Sequence, residues 1–288
     1  MTNTTYLGLD PAYVSRVVAA ALAEDVGPGD VTTLATIPAH ATCEAQLRTR
    51  QVGVMAGLPV AIEAFQQLDA TLEIVEHRHD GDQLQPGDLL LTIAGGARPV
   101  LTAERVALNF LQRLSGIATI TAQYVGLVRD TKAVIVDTRK TTPGLRQLEK
   151  YAVRVGGGRN HRFGLFDGVL IKDNHIEAAT DGIGAVVLTA RRAVPHSLRI
   201  EVETDTLDQV REAVEAGADA ILLDNMPPET MRQAVELIGG RALAEASGGI
   251  TLATVGAVAQ SGVDLISVGA LTHSAPSLDL GLDFVLHR

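Results

Sequence analysis

Tryptophan is absent from this sequence, and aromatic residues make up only 3% of it. The interior must therefore be aliphatic, built from Ala, Val, Leu and Ile. A single cysteine, Cys43, excludes an internal disulfide and fits a reducing compartment. With no second cysteine it cannot anchor a Cys-based zinc site, and a small buried or half-buried apolar residue is the plainer reading. No apolar stretch approaches the length of a membrane span. Residues 1–10 lack a basic start followed by an apolar run, so no signal peptide is expected and the location is expected to be cytoplasmic. Cations are scarce: 24 Lys and Arg face 34 Asp and Glu, a net charge of −10. That balance argues against a general binder of nucleic acid or membrane surface.

The chain has 288 residues, 46% of them hydrophobic, enough for one large or two modest domains with a sizeable core. Its few cations are unevenly spread. From Arg139 to Lys172 eight Lys or Arg (Arg139, Lys140, Arg146, Lys150, Arg154, Arg159, Arg162, Lys172) face only Glu149 and Asp167. A solvated basic helix face is one reading of this segment, and a pocket for anions is the other.

The two parts of the chain have different rhythms. Residues 11–24 have helical apolar spacing, and Gly27-Pro28-Gly29-Asp30 interrupts it before Asp30-Val-Thr-Thr33, a loop or cap. Short β-like runs follow from Ala41 to Ile93, with a helix expected at 57–68 and a strand at 88–93. Thr102 is a candidate N-cap for a helix ending at Ser115-Gly116, with a second helix from about Ala118 to Arg129. Beyond it, apolar runs recur at 133–136, 168–171, 199–202, 220–223, 242–244 and 265–268, with helical patterns at 206–216, 228–238 and 251–260. Strand and helix alternating at this spacing indicate βαβ units and a parallel sheet, closed as a barrel or left open as a doubly wound sheet.

The barrel is favoured because the polar residues fall in one place. The six runs lead into Asp137-Thr138-Arg139-Lys140, Lys172-Asp173-Asn174-His175, Glu203, Asp224-Asn225, Glu245-Ala246-Ser247-Gly248-Gly249 and Gly269-Ala270. In a barrel those ends share the rim where active sites are built. Arg139, Lys140, Arg162 and Lys172, with His161, suit carboxylates and phosphates. Glu203 and Asp224 are either counter-ions to these cations or a seat for Mg²⁺ with substrate phosphates, and spacing favours neither. The glycine loops at 247–249 and 268–270 are candidate phosphate cradles. Gly156-Gly157-Gly158 reads as a flexible arm carrying Arg159 to Arg162, or as a plain linker. Lys172 has a rival role as a Schiff-base lysine, which the surrounding cations disfavour.

The residues together resemble the quinolinate phosphoribosyltransferase family. The resemblance rests on Thr102-Ala-Glu-Arg105, Leu114-Ser-Gly-Ile-Ala-Thr119, Asp137-Thr-Arg-Lys-Thr141, Asn160-His-Arg162, Ile171-Lys-Asp-Asn-His175, Glu201-Val-Glu203, Leu223-Asp-Asn225, Ser247-Gly-Gly-Ile250 and Val268-Gly-Ala-Leu-Thr-His-Ser274. Ala246 departs from it, since some relatives carry Ser there. The resemblance implies an N-terminal α/β sandwich domain over 1–116, joined by the tail 275–288. An incomplete, seven-stranded-type α/β barrel follows over 117–274. The implied reaction joins quinolinate to phosphoribosyl pyrophosphate (PRPP), giving nicotinate mononucleotide, CO₂ and pyrophosphate in NAD synthesis, with Mg²⁺ as cofactor. It implies a homodimer in which Arg105 reaches the neighbouring site. Arg139, His161, Arg162 and Lys172 are implied to face quinolinate. Thr138, Lys140, Glu203 and Asp224 are implied around PRPP and Mg²⁺, with Ser247, Gly248, Gly249, Val268, Gly269 and Ala270 as phosphate-binding backbone. Lys140, Lys172, Glu203 and Asp224 are the implied catalytic residues, with Glu203 and Asp224 as metal ligands.

Three rival readings are weighed against this one. A barrel phosphoribosyltransferase acting on nicotinate or another base should find one of Arg105, Arg139 and Arg162 dispensable, and all three are present. A non-catalytic phosphometabolite sensor or paralogue should have lost Glu203 or Lys140, and both are retained. An aldolase-like enzyme would be trapped on Lys172 by borohydride.

Overall fold

A computed structural model describes residues 8–179 and 181–285. Residues 1–7, on which the signal-peptide reading mostly rests, and the last three of the tail lie outside the described residues. The chain runs α1 (Pro11–Val26), α2 (Val31–Thr36), β1 (Thr42–Thr49), β2 (Gly53–Val54), α3 (Leu58–Leu68), β3 (Glu73–Glu76), β4 (Gln83–Leu84), β5 (Leu89–Gly96) and α4 (Ala97–Val128). It continues through β6 (Val134–Val136), α5 (Arg146–Val155), β7 (Val169–Ile171), α6 (Asp173–Ala179), α7 (Gly182–Ala193), β8 (Ile200–Thr204) and α8 (Leu207–Glu215). The remaining elements are β9 (Ala220–Asp224), α9 (Pro228–Ile238), β10 (Leu243–Ser247), α10 (Val255–Ala259), β11 (Leu265–Ser267), α11 (Ala270–His273) and β12 (Leu280–Val285). Two compact units result. One holds the described residues up to Ala122, Thr141–Gly157 and the chain from Ser274, and the other holds Gln123–Lys140 and Gly158–His273.

The first unit is built on an antiparallel sheet in the order β12-β1-β5-β3. The tail supplies an edge strand, from Arg48↔Gly281 and Leu47↔Leu282 onward along β1. Asp10 starts α1 by accepting the Ala12 N–H, with Pro11 at the first helical position. The apolar stripe of that helix, Val14, Val18 and Leu22, is buried. Asp30 likewise caps α2 by accepting the Thr33 N–H at 3.0 Å. The loop or cap expected there is thus a cap followed by a short helix.

Helix α4 corrects the reading at Ser115-Gly116. It runs unbroken through both residues, and Thr102 lies inside it, donating to Asp30 at 3.2 Å rather than capping. Gly116 is there for close approach. A Cβ at this position would lie 2.0 Å from the Pro276 carbonyl oxygen. Ser115 serves a similar purpose, its hydroxyl accepting the Ala56 N–H and donating to the Ala56 carbonyl. These residues attract a neighbouring chain without ending the helix, a distinction sequence spacing does not carry.

Thr141–Gly157 fall in the first unit, although the sequence boundary had put them with the barrel. Side-chain bonds fix them there. Tyr13 donates to the Gly144 carbonyl at 2.8 Å, Tyr151 donates to Asp80 at 2.6 Å, and Arg113 donates to Glu149 at 2.8 Å. Gly156 closes α5 and packs against α4, where a Cβ would meet the Ala118 carbonyl oxygen at 2.4 Å. The glycines read as a flexible arm thus begin as a tight contact.

The second unit is a six-stranded parallel sheet in the order β6-β11-β10-β9-β8-β7, with helices following the strands. Beyond β6, Arg159 adds one parallel bridge to Val136, the only trace of a seventh strand position among the described residues. This is the incomplete barrel expected. Helices α6 and α7, between β7 and β8, were not anticipated. The last expected helix starts at Val255 because Thr251–Thr254 form a turn, with the Thr254 hydroxyl accepting the Thr251 N–H. The strands place the site. Glu203, Leu222 and Glu245 stand level across β8, β9 and β10, and Asp224 stands level with Ser247 two residues nearer the C-terminal ends.

Candidate active site

A cavity of about 570 Å³ opens at those strand ends, within the range of about 300–1,000 Å³ usual for small-ligand sites. Its wall carries Thr138, Arg139 and Lys140 after β6, His161 and Arg162 from the loop before β7, and Lys172 after β7. Glu203, Asp224, Asn225, Glu245, Ser247, Gly248, Gly249 and Ser267 complete the polar lining, with Leu170 and Leu222 as apolar floor. A larger cavity of about 850 Å³ lies within the first unit, but its lining includes no Lys, Arg or His and it carries Glu44 and Glu73. It has nothing with which to hold a polyanion.

Only part of the basic segment serves the cavity. Arg146, Lys150 and Arg154 sit on α5 in the first unit, Lys150 fully buried, while Arg139, Lys140, Arg162 and Lys172 line the site. Burial lowers the Arg162 pKa, and neighbouring Arg139 lowers it further. A guanidinium stays charged under such pressure, so two crowded cations face the cavity and an anion there would relieve them. Arg162 is also aimed by its bond to the Gly168 carbonyl at 3.1 Å. Lys172 pairs with Glu203, Nζ to Oε2 2.5 Å. The Thr138 hydroxyl accepts the Lys140 N–H, and Thr272 donates to the Lys140 carbonyl, which pins the loop from both sides.

Asp224 and Asn225 form an interlock that the motif did not reveal. Asn225 has φ 52°, rare for a residue other than glycine, and its amide donates to the Asp224 carboxylate at 2.7 Å. Its N–H donates to the Ser247 carbonyl at 3.0 Å. Gly248 has to be glycine, since a Cβ there would lie 2.1 Å from the Asn225 side-chain oxygen. What the structure shows of the glycine loop expected to cradle phosphate is that it makes room for the residue that orients Asp224.

Beneath the wall lies a buried polar floor in which the sequence reading gave a ligand role to His161 alone, with Asp137 and Glu245 noted only as strand-end residues. Asp137, fully buried, accepts Asn160 Nδ2 at 2.5 Å and the His161 N–H at 2.9 Å. His161 Nε2 lies 2.9 Å from Glu201 and 3.6 Å from Glu245. Glu245 is 1% exposed, and burial first, then Glu201, pushes its pKa up to about 8. The Glu201-Val-Glu203 spacing was the available signal, since alternate residues of a strand share a face.

Four expected residues are not in the lining. Arg105 is an exposed residue of α4 in the first unit. Val268, Gly269 and Ala270 stand outside the lining, and the Val268 N–H is engaged by the Val136 carbonyl at 3.0 Å. Gly269 nonetheless lies beside Lys140, where a Cβ would come within 3.2 Å of its side chain. As for metals, Glu203 and Asp224 offer hard oxygen donors at the rim. His161, Glu201 and Glu245 form a second group with ligand atoms within 4.8 Å of one another.

Comparison with known proteins agrees with this architecture. Residues 30–115 match the N-terminal domain of quinolinate phosphoribosyl transferase, and residues 117–283 match its C-terminal domain. The chain is 49% identical over 263 residues to a probable nicotinate-nucleotide pyrophosphorylase [carboxylating] of Bacillus subtilis, covering 91% of this chain and 90% of that one. It is 46% identical to the nicotinate-nucleotide pyrophosphorylase [carboxylating] of Mycobacterium leprae, covering 91% of this chain and 94% of that one. The solved structure of the nicotinate-nucleotide pyrophosphorylase from Francisella tularensis superposes with a TM-score of 0.91 at 38% identity, covering 97% of this chain and 98% of that one. The chain belongs to the quinolinate phosphoribosyltransferase family.

Proposed function

We propose that this enzyme transfers the phosphoribosyl group of PRPP to quinolinate with decarboxylation, releasing pyrophosphate and CO₂ and leaving nicotinate mononucleotide, in NAD synthesis. The observation that carries this reading is one cavity combining Arg139, Lys140, Arg162 and Lys172 with Glu203 and Asp224. That set suits a dicarboxylate beside a diphosphate sugar.

Arg139 and Arg162 hold the two carboxylates of the pyridine, and Lys172 leaves Glu203 to join them. The pyridine nitrogen bonds to ribose C1 as the bond from C1 to the pyrophosphate oxygen breaks. Positive charge grows on the sugar in between, and carboxylates fixed nearby stabilise it without reorganising. Lys140 and the N–H groups at 247–249 receive the leaving diphosphate. The C2–carboxyl bond then breaks toward the pyridinium, and C2 takes up a proton. The donor chemistry at the rim fits Mg²⁺, which binds through one or two carboxylates plus substrate phosphates. Glu203 and Asp224 would hold it, and it would neutralise charge on the diphosphate.

The active form is a homodimer in which Arg105 enters the neighbour's site. No helix among the described residues is long and apolar enough to cross a membrane, and the cytoplasm is the proposed location. The test is an assay of purified protein with quinolinate, PRPP and Mg²⁺. Nicotinate mononucleotide and CO₂ are expected in equal amounts, and turnover of nicotinate in place of quinolinate would overturn the assignment. Mixing Arg105→Ala with Lys172→Ala protein should restore activity through hybrid dimers, and no restoration would remove the shared site.

A further inference from the structure

The floor of the cavity holds more buried carboxyl groups than its hydrogen bonds account for. Both oxygens of Glu245, and Oε1 of Glu201, are buried with no hydrogen-bond partner among the described residues. Both residues sit on strands of the parallel sheet that are separated by β9, with Glu201 7% exposed and Glu245 1% exposed. Two ionised carboxylates so placed would repel each other where little water screens them, and only Glu201 has a donor to offset the cost, His161 at 2.9 Å. One shared proton removes most of it.

His161 shows which way the hydrogen bonds run. Its Nδ1 accepts the Arg162 N–H at 2.7 Å, so the neutral ring carries its proton on Nε2. That Nε2–H faces Glu201 Oε2 at 2.9 Å and is a donor. A metal ion among the three side chains would need the Nε2 lone pair, which this tautomer does not offer. What is left unsatisfied is the carboxyl pair alone.

We propose that Glu245 is a positioning residue, held as a neutral carboxylic acid that donates to Glu201 and thereby fixes Glu201 as the acceptor for His161. The chain of bonds runs Glu245 to Glu201 to His161 to the Arg162 backbone. Arg162 presents its guanidinium to the cavity, so the acid at the floor sets the angle of the residues that meet the substrate carboxylates. This rests on the proposed reaction for its consequence but not for its geometry. The groups facing Glu245 are Glu201 from β8, His161 from the loop before β7, Ser267 from β11 and apolar Leu222 from β9. Arg139, Lys140, Arg162, Lys172, Glu203 and Asp224 line the cavity above, and Arg159, Asp167 and Arg199 line the adjoining one. The raised Glu245 pKa agrees with the geometry.

Two variants separate positioning from bulk. Glu245→Gln keeps the shape and the donor, so at neutral pH its KM for quinolinate should lie at least about threefold below that of Glu245→Leu. Glu245→Leu keeps the bulk but leaves Glu201 without its donor, and should raise KM for quinolinate by about tenfold or more, with a parent-like circular dichroism spectrum. Because glutamine has no proton to lose, the alkaline limb of the kcat/KM profile should move upward by about one pH unit or more in Glu245→Gln. Equal losses in the two variants, or an unmoved alkaline limb, would overturn the proposal. Infrared difference spectra give a readout independent of the reaction. The parent should show a protonated carboxylic acid band that Glu245→Gln lacks, and its absence from the parent would overturn the proposal even if the enzyme turns over quinolinate. A parent that shows the band but makes no nicotinate mononucleotide would overturn the proposed reaction and leave the acid pair standing.

Discussion

Each of the two units buries a glutamate completely, and the two are treated in opposite ways. Glu149, in the first unit, is fully buried and fully bonded. Its Oε1 accepts from Arg113 at 2.8 Å and from the Thr142 hydroxyl at 2.7 Å, and its Oε2 accepts from the Thr142 N–H at 3.0 Å. Glu245, in the second unit, has neither oxygen partnered. Buried polar groups are nearly always satisfied, so Glu149 is what stability alone produces. A local cost such as that at Glu245 collects where a site has work to do. The cations divide in the same way. Lys150 is buried on α5, while Lys140 and Lys172, at strand ends, face a cavity.

The contrast is broken most strongly at the cavity wall. Lys172→Ala should lower kcat/KM for quinolinate by about 10²–10³ while leaving the thermal midpoint near that of the parent, because the lysine is half exposed and Glu203 borders a cavity that water can enter. Steady-state kinetics beside a melting curve checks both halves. Glu149→Ala should do the reverse. Removing one partner of a buried pair costs about 3–5 kcal/mol, and Arg113 keeps some access to water, so about 3 kcal/mol is expected in urea denaturation. Activity at temperatures where the variant is folded should change little. A Glu149→Ala protein as stable as its parent would erase the distinction between the two glutamates.

The smallest effect concerns Glu245 and has a definite sign. Its pKa is raised in the folded protein to about 8, so the folded state keeps a proton that the unfolded chain loses in the ordinary carboxyl range. The resulting penalty is nil below that range, grows through neutrality and is complete above about 8. Glu245→Gln escapes it. Its melting temperature relative to the parent should therefore climb from about pH 5 to about pH 9, by a few degrees. A constant offset across that interval would mean that Glu245 is an ordinary ionised side chain.

Much of the wall was legible in the sequence because strand ends announce themselves. A parallel strand buried on both faces is an apolar run, and the first polar residue after it stands at the rim. Thr138, Arg139, Lys140, Lys172, Glu203, Asp224 and Ser247 were found in this way, and the structure gathers them in one cavity. The floor was not legible. Glu201 and Glu245 lie within strands 44 residues apart in the chain, and only the parallel order β10-β9-β8 turns both toward His161. Gly116 and Gly156 were misread for a related reason. A glycine needed for close approach looks the same in sequence as one that ends an element, and the approaching residues, Pro276 and Ala118, are distant in the chain.

The gathering of cations and carboxylates at the strand ends, the alternation of strand and helix, and the family resemblance all follow from local order along the chain, where apolar period and motif spacing are recorded. Three things do not. They are the unbroken course of α4, the placement of Thr141–Gly157 in the first unit, and the unsatisfied acid pair under the site. Each depends on which residues meet across long stretches of chain, and such meetings are set by packing and by the pairing of buried polar groups, which no local pattern encodes.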